Sequence, residues 1–121
     1  MVFEGYKIMT FTKLKKRWAL EHEFRKIRSK EVKRLLLEKG MPVFEKFGIR
    51  KVILFGSVAD NKYDEMSDLD IMVMPLSGDK YWDFHHEIEE TLDMPVDLYT
   101  KYDHPVIVNK ILSRGEIVYE L

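Results

Sequence analysis

Cysteine is absent from the 121 residues. That excludes a disulfide framework, a thiolate metal centre and cysteine-based catalysis. Long apolar runs are also absent. None approaches the ~20 residues that a membrane-spanning helix requires. Met1 to Thr12 lacks the apolar core and small-residue cleavage site of a secretory leader, so a cytoplasmic setting is expected. Proline occurs four times and glycine six. Points of forced turning are therefore few, and each is informative. No internal repeat and no low-complexity tract interrupts the chain.

What is present suits one globular domain: 45% of residues are apolar and 34% are charged. The net charge of −1 conceals a division. Residues 1–51 carry 15 Lys/Arg and 6 Asp/Glu, whereas residues 52–121 carry 5 and 15. The basic half suits a solvated helix, an acidic partner, nucleic acid or a nucleotide's phosphates.

The stretch Lys51–Val73 organises the rest. Val52 to Phe55 is a short apolar run stopped by Gly56, the pattern of a buried strand. Gly56 has no Cβ to obstruct a ligand approaching the backbone. Ser57 adds a hydroxyl where a helix is expected to begin, as a cap and as a phosphate contact. Asp68 and Asp70 are two residues apart, so on a strand they project from the same face. Two carboxylates on one face repel, and a hard cation such as Mg²⁺ relieves that repulsion. Ser67 precedes them at the turn. A phosphate cradle beside a metal site is the equipment of nucleotide transfer.

In chain order, Met1–Phe11 reads as an irregular or strand-like arm, with Thr10 or Thr12 as a helix cap. Leu14–Lys39 reads as a helix with a stripe of Leu20, Phe24, Ile27, Val32, Leu35 and Leu36, and with Glu21 and Arg25 as an i, i+4 pair. Gly40 and Pro42 predict a break, followed by a short helical stretch ended by Gly48. Strands are predicted at Arg50–Phe55, Asp68–Met74 and Val96–Tyr99, with a short fourth at Ile117–Tyr119. Val58–Met66 should begin as a helix and end as a polar loop. Further helices are expected at Asp79–Leu92, with Trp82, Ile88 and Leu92 as apolar positions, and at Val106–Leu112. Strands alternating with helices predict an α/β fold: a small mixed sheet of three or four strands flanked by helices, with a long N-terminal helix. One domain spans 1–121, divided into an arm and basic helix (1–40) and a core (41–121).

Ten residues separate Gly56-Ser57 from Asp68-Leu69-Asp70, and Val96-Asp97-Leu98 supplies a further apolar-Asp-apolar strand. This resembles the polymerase-β-like nucleotidyltransferase superfamily, and within it the minimal nucleotidyltransferases that act as antitoxins beside HEPN-family toxins. The resemblance covers residues 44–121. It implies Asp68, Asp70 and Asp97 as catalytic and metal-binding residues, with Gly56, Ser57 and Ser67 at the nucleotide. It implies two Mg²⁺ ions, ATP as substrate, and transfer of AMP to a hydroxyl, a tyrosine of a HEPN partner. The alternatives are a catalytically weak binding module of the same fold and a small-molecule, aminoglycoside-like nucleotidyltransferase. No membrane contact is expected, and RNA contact only through the partner or the basic helix. One departure stands out: where the family carries Arg-Gly three and four residues after the serine, this chain has Asp60-Asn61.

Other chemistries fail on spacing. His85-His86-Glu87 lacks a second histidine at i+4, so it is not a zinc-protease motif and reads as an exposed helix face. Asp60–Asp70 lacks the register of a calcium loop. Gly56-Ser57-Val58 is not a hydrolase elbow.

Overall fold

A computed structural model describes residues 2–63 and 67–121, with side chains from Thr12 onward. The 64–66 end of the predicted polar loop lies outside the described residues. The chain forms helix α1 (Val2–Lys46), strand β1 (Lys51–Phe55), the one-turn helix α2 (Gly56–Ala59) and strand β2 (Leu69–Met74). A 3-10 turn (Gly78–Lys80) leads into helix α3 (Tyr81–Leu92), and then come β3 (Val96–Tyr99), helix α4 (Pro105–Arg114) and β4 (Glu116–Glu120). The sheet order is β3-β2-β1-β4. β1 runs antiparallel to β2 and β4, while β2 and β3 are parallel. The expected mixed sheet therefore has four strands.

Period-two alternation divides the sheet faces. Val52 and Leu54 of β1, Leu69, Ile71 and Val73 of β2, and Val96 and Leu98 of β3 enter one core with Leu36 and Phe44 of α1 and Phe84 and Ile88 of α3. Phe44 and Phe84 stack there at 6.3 Å between centroids, a favourable aromatic separation. The opposite face carries Ile53 and Met72, and among the described residues it is α4 that covers them, through Ile111. The second face is thus partly open, and on it lie Asp70, Asp97 and Tyr99.

The longest helix corrects several expectations. Its backbone is helical from Val2, so residues 2–11 are not a strand-like arm and neither Thr10 nor Thr12 caps its start. Extending a nucleated helix costs far less than starting one. The helix also runs through Gly40 and Pro42 and ends at Lys46, with Gly48 reversing the chain at φ +69°. Proline removes one helical hydrogen bond, but Leu36, Val43 and Phe44 on both sides of it are buried and hold the axis. At Gly40 a Cβ would stand 3.0 Å from Phe44 and 3.6 Å from Ile88, so the glycine makes room for the buried Phe44 ring rather than ending the helix. The predicted stripe also divides. Val32 and Leu36 are buried, while Leu20 and Phe24 are each 60% exposed and Ile27 is exposed as well. Five residues at ~100° each place Ile27 and Val32 roughly 140° apart, on different faces. Glu21 sits 3.9 Å from Arg17 rather than reaching toward Arg25.

On α3 the buried residues are Phe84, Ile88 and Leu92, spaced by four. Trp82 is two positions off that line and is 72% exposed, contrary to its expected core role.

α4 is fixed at both ends. The His104 side chain accepts a hydrogen bond from the Val106 amide at 3.2 Å, and Pro105 opens the helix. At its other end Gly115 lies against β1, where a Cβ would collide with Ile53 and with the backbone oxygens of Ile111 and Leu54. Two of these obstacles are main-chain atoms that cannot rotate aside. Gly115→Ala should therefore cost about 1–3 kcal/mol by overpacking, read as a lowered urea midpoint. A midpoint equal to the wild type would show that α4 is not held this tightly.

Candidate active site

β1 delivers its last residue, Phe55, opposite Asp70 of β2. The chain must then leave the sheet at once, and Gly56 does so at φ +72°. A Cβ there would fall onto the Asp70 carboxylate. Glycine is thus required twice, for its left-handed backbone and for the space that the carboxylate fills. Phe55 occupies the N-cap position of the helix that follows and offers it no side-chain hydrogen bond. Ser57 consequently lies inside the first turn and is not the helix cap that was expected.

Asp70 pairs in register with Asp97 across the parallel β2–β3 ladder. The two carboxylates project side by side, and the nearness of Asp97 disfavours the charged form of Asp70. Burial, then the Asp97 charge and hydrogen bond, then the charge of Asp68, push the Asp70 carboxyl up to about 6. Val96 and Leu98 are buried while Asp97 is exposed, as alternation predicts. Asp68 is exposed and lies one residue before β2. Its charge adds to the groups that disfavour ionisation of Asp70. Ser67, half-buried, directly precedes it.

Two supporting features are illegible from the motif. The Tyr99 hydroxyl donates to Asp97 Oδ2 at 3.0 Å, and its ring meets Phe55 edge-to-face at 5.1 Å. Burial and the adjacent Asp97 push the Tyr99 phenol up to about 12, so it stays protonated as a donor. Tyr99 is two residues from Asp97 on one strand, and that spacing was the available signal. Second, β3 is an edge strand whose free side is satisfied by α3. Glu89 accepts from the Val96 amide, and His85 Nε2 meets the Val96 carbonyl, each at 2.8 Å. This covers the exposed edge next to Asp97. The expected exposed face holds for His86, while His85 is half-buried and engaged.

Among the described residues no group of three or more His, Cys, Asp and Glu side chains forms a ready metal cage. The donor set nevertheless fits a hard divalent cation. Asp70 and Asp97 present carboxylate oxygens in register on adjacent strands, close enough for Asp97 to disfavour the ionised form of Asp70, and a cation between them would relieve that repulsion.

Beyond Gly56 a cavity of about 440 Å³ opens between α2 and α4. Phe55, Gly56, Asp60, Ile107, Lys110 and Arg114 are among its lining residues. Asp60 and Lys62 are both exposed.

An α/β domain presenting a glycine bend and paired carboxylates on one open sheet face is of the nucleotide-transferring class. The chain belongs to the Polymerase beta, Nucleotidyltransferase family, whose model matches residues 38–121. A Methanocaldococcus jannaschii protein that bears the name protein adenylyltransferase is 34% identical over 89 residues, covering 70% of this chain and 91% of its own. A second from that organism, named likewise, is 32% identical over 93 residues, covering 74% and 94%. Among solved structures, a toxin-antitoxin crystal structure with AMP-PNP superposes with a TM-score of 0.58 at 20% identity, over 69% of this chain and 72% of that one. A mutant of the MntA-HpeT toxin-antitoxin pair gives 0.58 at 18%, with the same coverage. At these identities the structural likeness is one of fold.

Proposed function

We propose that this chain transfers AMP from ATP to a hydroxyl on a partner protein, acting as the antitoxin of a toxin-antitoxin pair in the cytoplasm. The observation that carries this reading is the close approach of Gly56 to Asp70, with Asp97 in register alongside. The bare backbone at Gly56 would let phosphate oxygens approach beside two carboxylates. Ser57 and Ser67 would add hydroxyl contacts. Names given to the relatives, protein adenylyltransferase, favour ATP and a protein acceptor. That these fold neighbours are toxin-antitoxin structures favours a toxin as that acceptor, a tyrosine of a HEPN-type protein in the resemblance.

Asp68, Asp70 and Asp97 would hold Mg²⁺, two ions by that resemblance, and the metal would supply neutralising charge between phosphate oxygens. Asp97, oriented by Tyr99, takes the acceptor hydroxyl's proton. The acceptor oxygen then bonds to the α-phosphorus as the bond to the pyrophosphate oxygen breaks. Water exclusion falls to the partner, because the carboxylates lie on an open face and a pocket normally buries most of its ligand.

A docking role accompanies this chemistry. Between Thr12 and Arg28, α1 carries seven Lys/Arg and two Glu, and it exposes Trp18, Phe24 and Ile27. An acidic partner surface fits that helix. The test is transfer of label to the neighbouring gene's product from ATP labelled at the α-phosphate. Label should appear from the α position and not from the γ position. A stable complex that acquires no label would leave the binding-module reading in its place.

A further inference from the structure

The cavity between α2 and α4 is not used by the three carboxylates, and its chemistry differs from theirs. α4 presents Ile107, Lys110, Ile111 and Arg114 on one side, as spacings of three and four residues require. Ile111 is the anchor: it is 3% exposed and packs on Ile53 and Met72 of the sheet. Anchoring Ile111 sets its neighbours' direction. Lys110 and Arg114 line the same cavity as Gly56, the residue that touches the Asp70 carboxylate. One end of this hollow is therefore the glycine bend, and one wall carries two cations one helical turn apart. α4 is also held in place rather than free to swing, by the His104 cap at its start and by the close seat of Gly115 on β1.

A triphosphate brings several negative charges that must be met away from the carboxylates, which would repel them. Cations on a fixed helix, adjoining the bend, meet that requirement. We propose that Lys110 and Arg114 form a polyphosphate clamp, binding the β- and γ-phosphates of the nucleotide in the cavity between α2 and α4. This rests on the proposed nucleotide transfer but deepens it, by assigning the leaving pyrophosphate to residues outside the glycine and aspartate motif. It also accounts for Asp60. The cation expected after the serine is replaced by a carboxylate that lines the cavity, and the positive charge comes from the facing helix. Asp60 lines the same hollow as Lys110 and Arg114. On transfer, the bond between the α-phosphorus and the bridging oxygen breaks, and pyrophosphate leaves with its electrons while still held by the two cations.

The test measures affinity of the full chain for inorganic tripolyphosphate, for ATP and for AMP by calorimetry. Wild-type protein should bind tripolyphosphate and ATP, and less tightly as salt is raised. Lys110→Gln and Arg114→Gln should each weaken both ligands about tenfold or more, with AMP binding unchanged. Asp60→Asn should tighten tripolyphosphate binding, since it removes a negative charge without disturbing the fold. Tripolyphosphate affinity that is unchanged in both Gln variants would overturn the clamp, even if ATP still binds and AMP is still transferred. Failure of wild-type protein to bind tripolyphosphate would overturn it as well. Clamp-dependent binding of tripolyphosphate without transfer to any protein would sustain the clamp and sink the transferase reading.

Discussion

Gly56→Ala should abolish nucleotide transfer while leaving a folded protein. The substitution places a methyl group where the Asp70 carboxylate lies and imposes a left-handed backbone, φ +72°, on a residue that disfavours it. The backbone penalty is about 1–3 kcal/mol, within what a folded domain tolerates. The displaced carboxylate is the larger consequence. Asp70 stands in register beside Asp97, which accepts from Tyr99, so a shift at Gly56 passes along that row. Misplacing reacting groups by about 1 Å costs on the order of 10²-fold in rate, and a loss at least that large is expected. Transfer to the partner, measured beside a circular dichroism melt, separates the two effects. Near-wild-type transfer by a folded Gly56→Ala protein would mean that phosphate does not approach at this bend.

Asp70→Asn should both inactivate and stabilise. Removing its charge should lower transfer by about 10²–10³-fold, as for other groups aimed at charge in a transition state. The stability effect follows from the carboxyl's displacement, caused first by burial and then by Asp97 and Asp68, from the usual carboxylate range to about 6. The folded state binds this proton more tightly than the unfolded chain, where the value is ~3.9. The stabilisation from protonation is thus complete below about 4 and is lost as pH rises through about 6. Above that, ionised Asp70 destabilises the metal-free fold, with the magnitude reduced by solvent screening at this half-exposed site. Asparagine cannot ionise. The variant's melting temperature should exceed the wild type's at pH 7.5 in chelator, and the difference should shrink toward pH 4. A difference that is independent of pH, or of opposite sign, would contradict the assignment. Such stability gained by disabling a site is the usual mark of groups placed for chemistry rather than folding.

How much of this could be read in the amino-acid order differs by residue. Asp70 and Asp97 were legible because a strand has a strict period of two. With Val96, Leu98, Leu69 and Ile71 assigned to the core, the aspartates had only the other face to occupy. Gly56 was legible as a bend, but its contact with Asp70 depends on the antiparallel register that brings Phe55 opposite that residue. Asp68 lies one residue before β2 begins, so the strand period places it less directly than it places Asp70. The continuity of α1 was hidden because Gly40 and Pro42 are ordinarily helix breakers, and only the packing of Val43, Phe44 and Ile88 around them reverses that. Lys110 and Arg114 lie about 40 residues beyond the DxD motif. Their position at the cavity follows from where Ile111 and Gly115 dock α4 on the sheet, which no local pattern encodes.

The central claim is that one ion-binding, phosphate-binding site is shared by Gly56, Asp70 and Asp97. Mn²⁺ replaces Mg²⁺ at oxygen sites and broadens nearby nuclear resonances. Titrating substoichiometric Mn²⁺ with ATP into isotope-labelled protein should broaden the backbone amides of Gly56, Asp70 and Asp97 first, and leave those of α1 sharp. Amides of Gly56, Asp70 and Asp97 that remain sharp while others broaden would contradict the account.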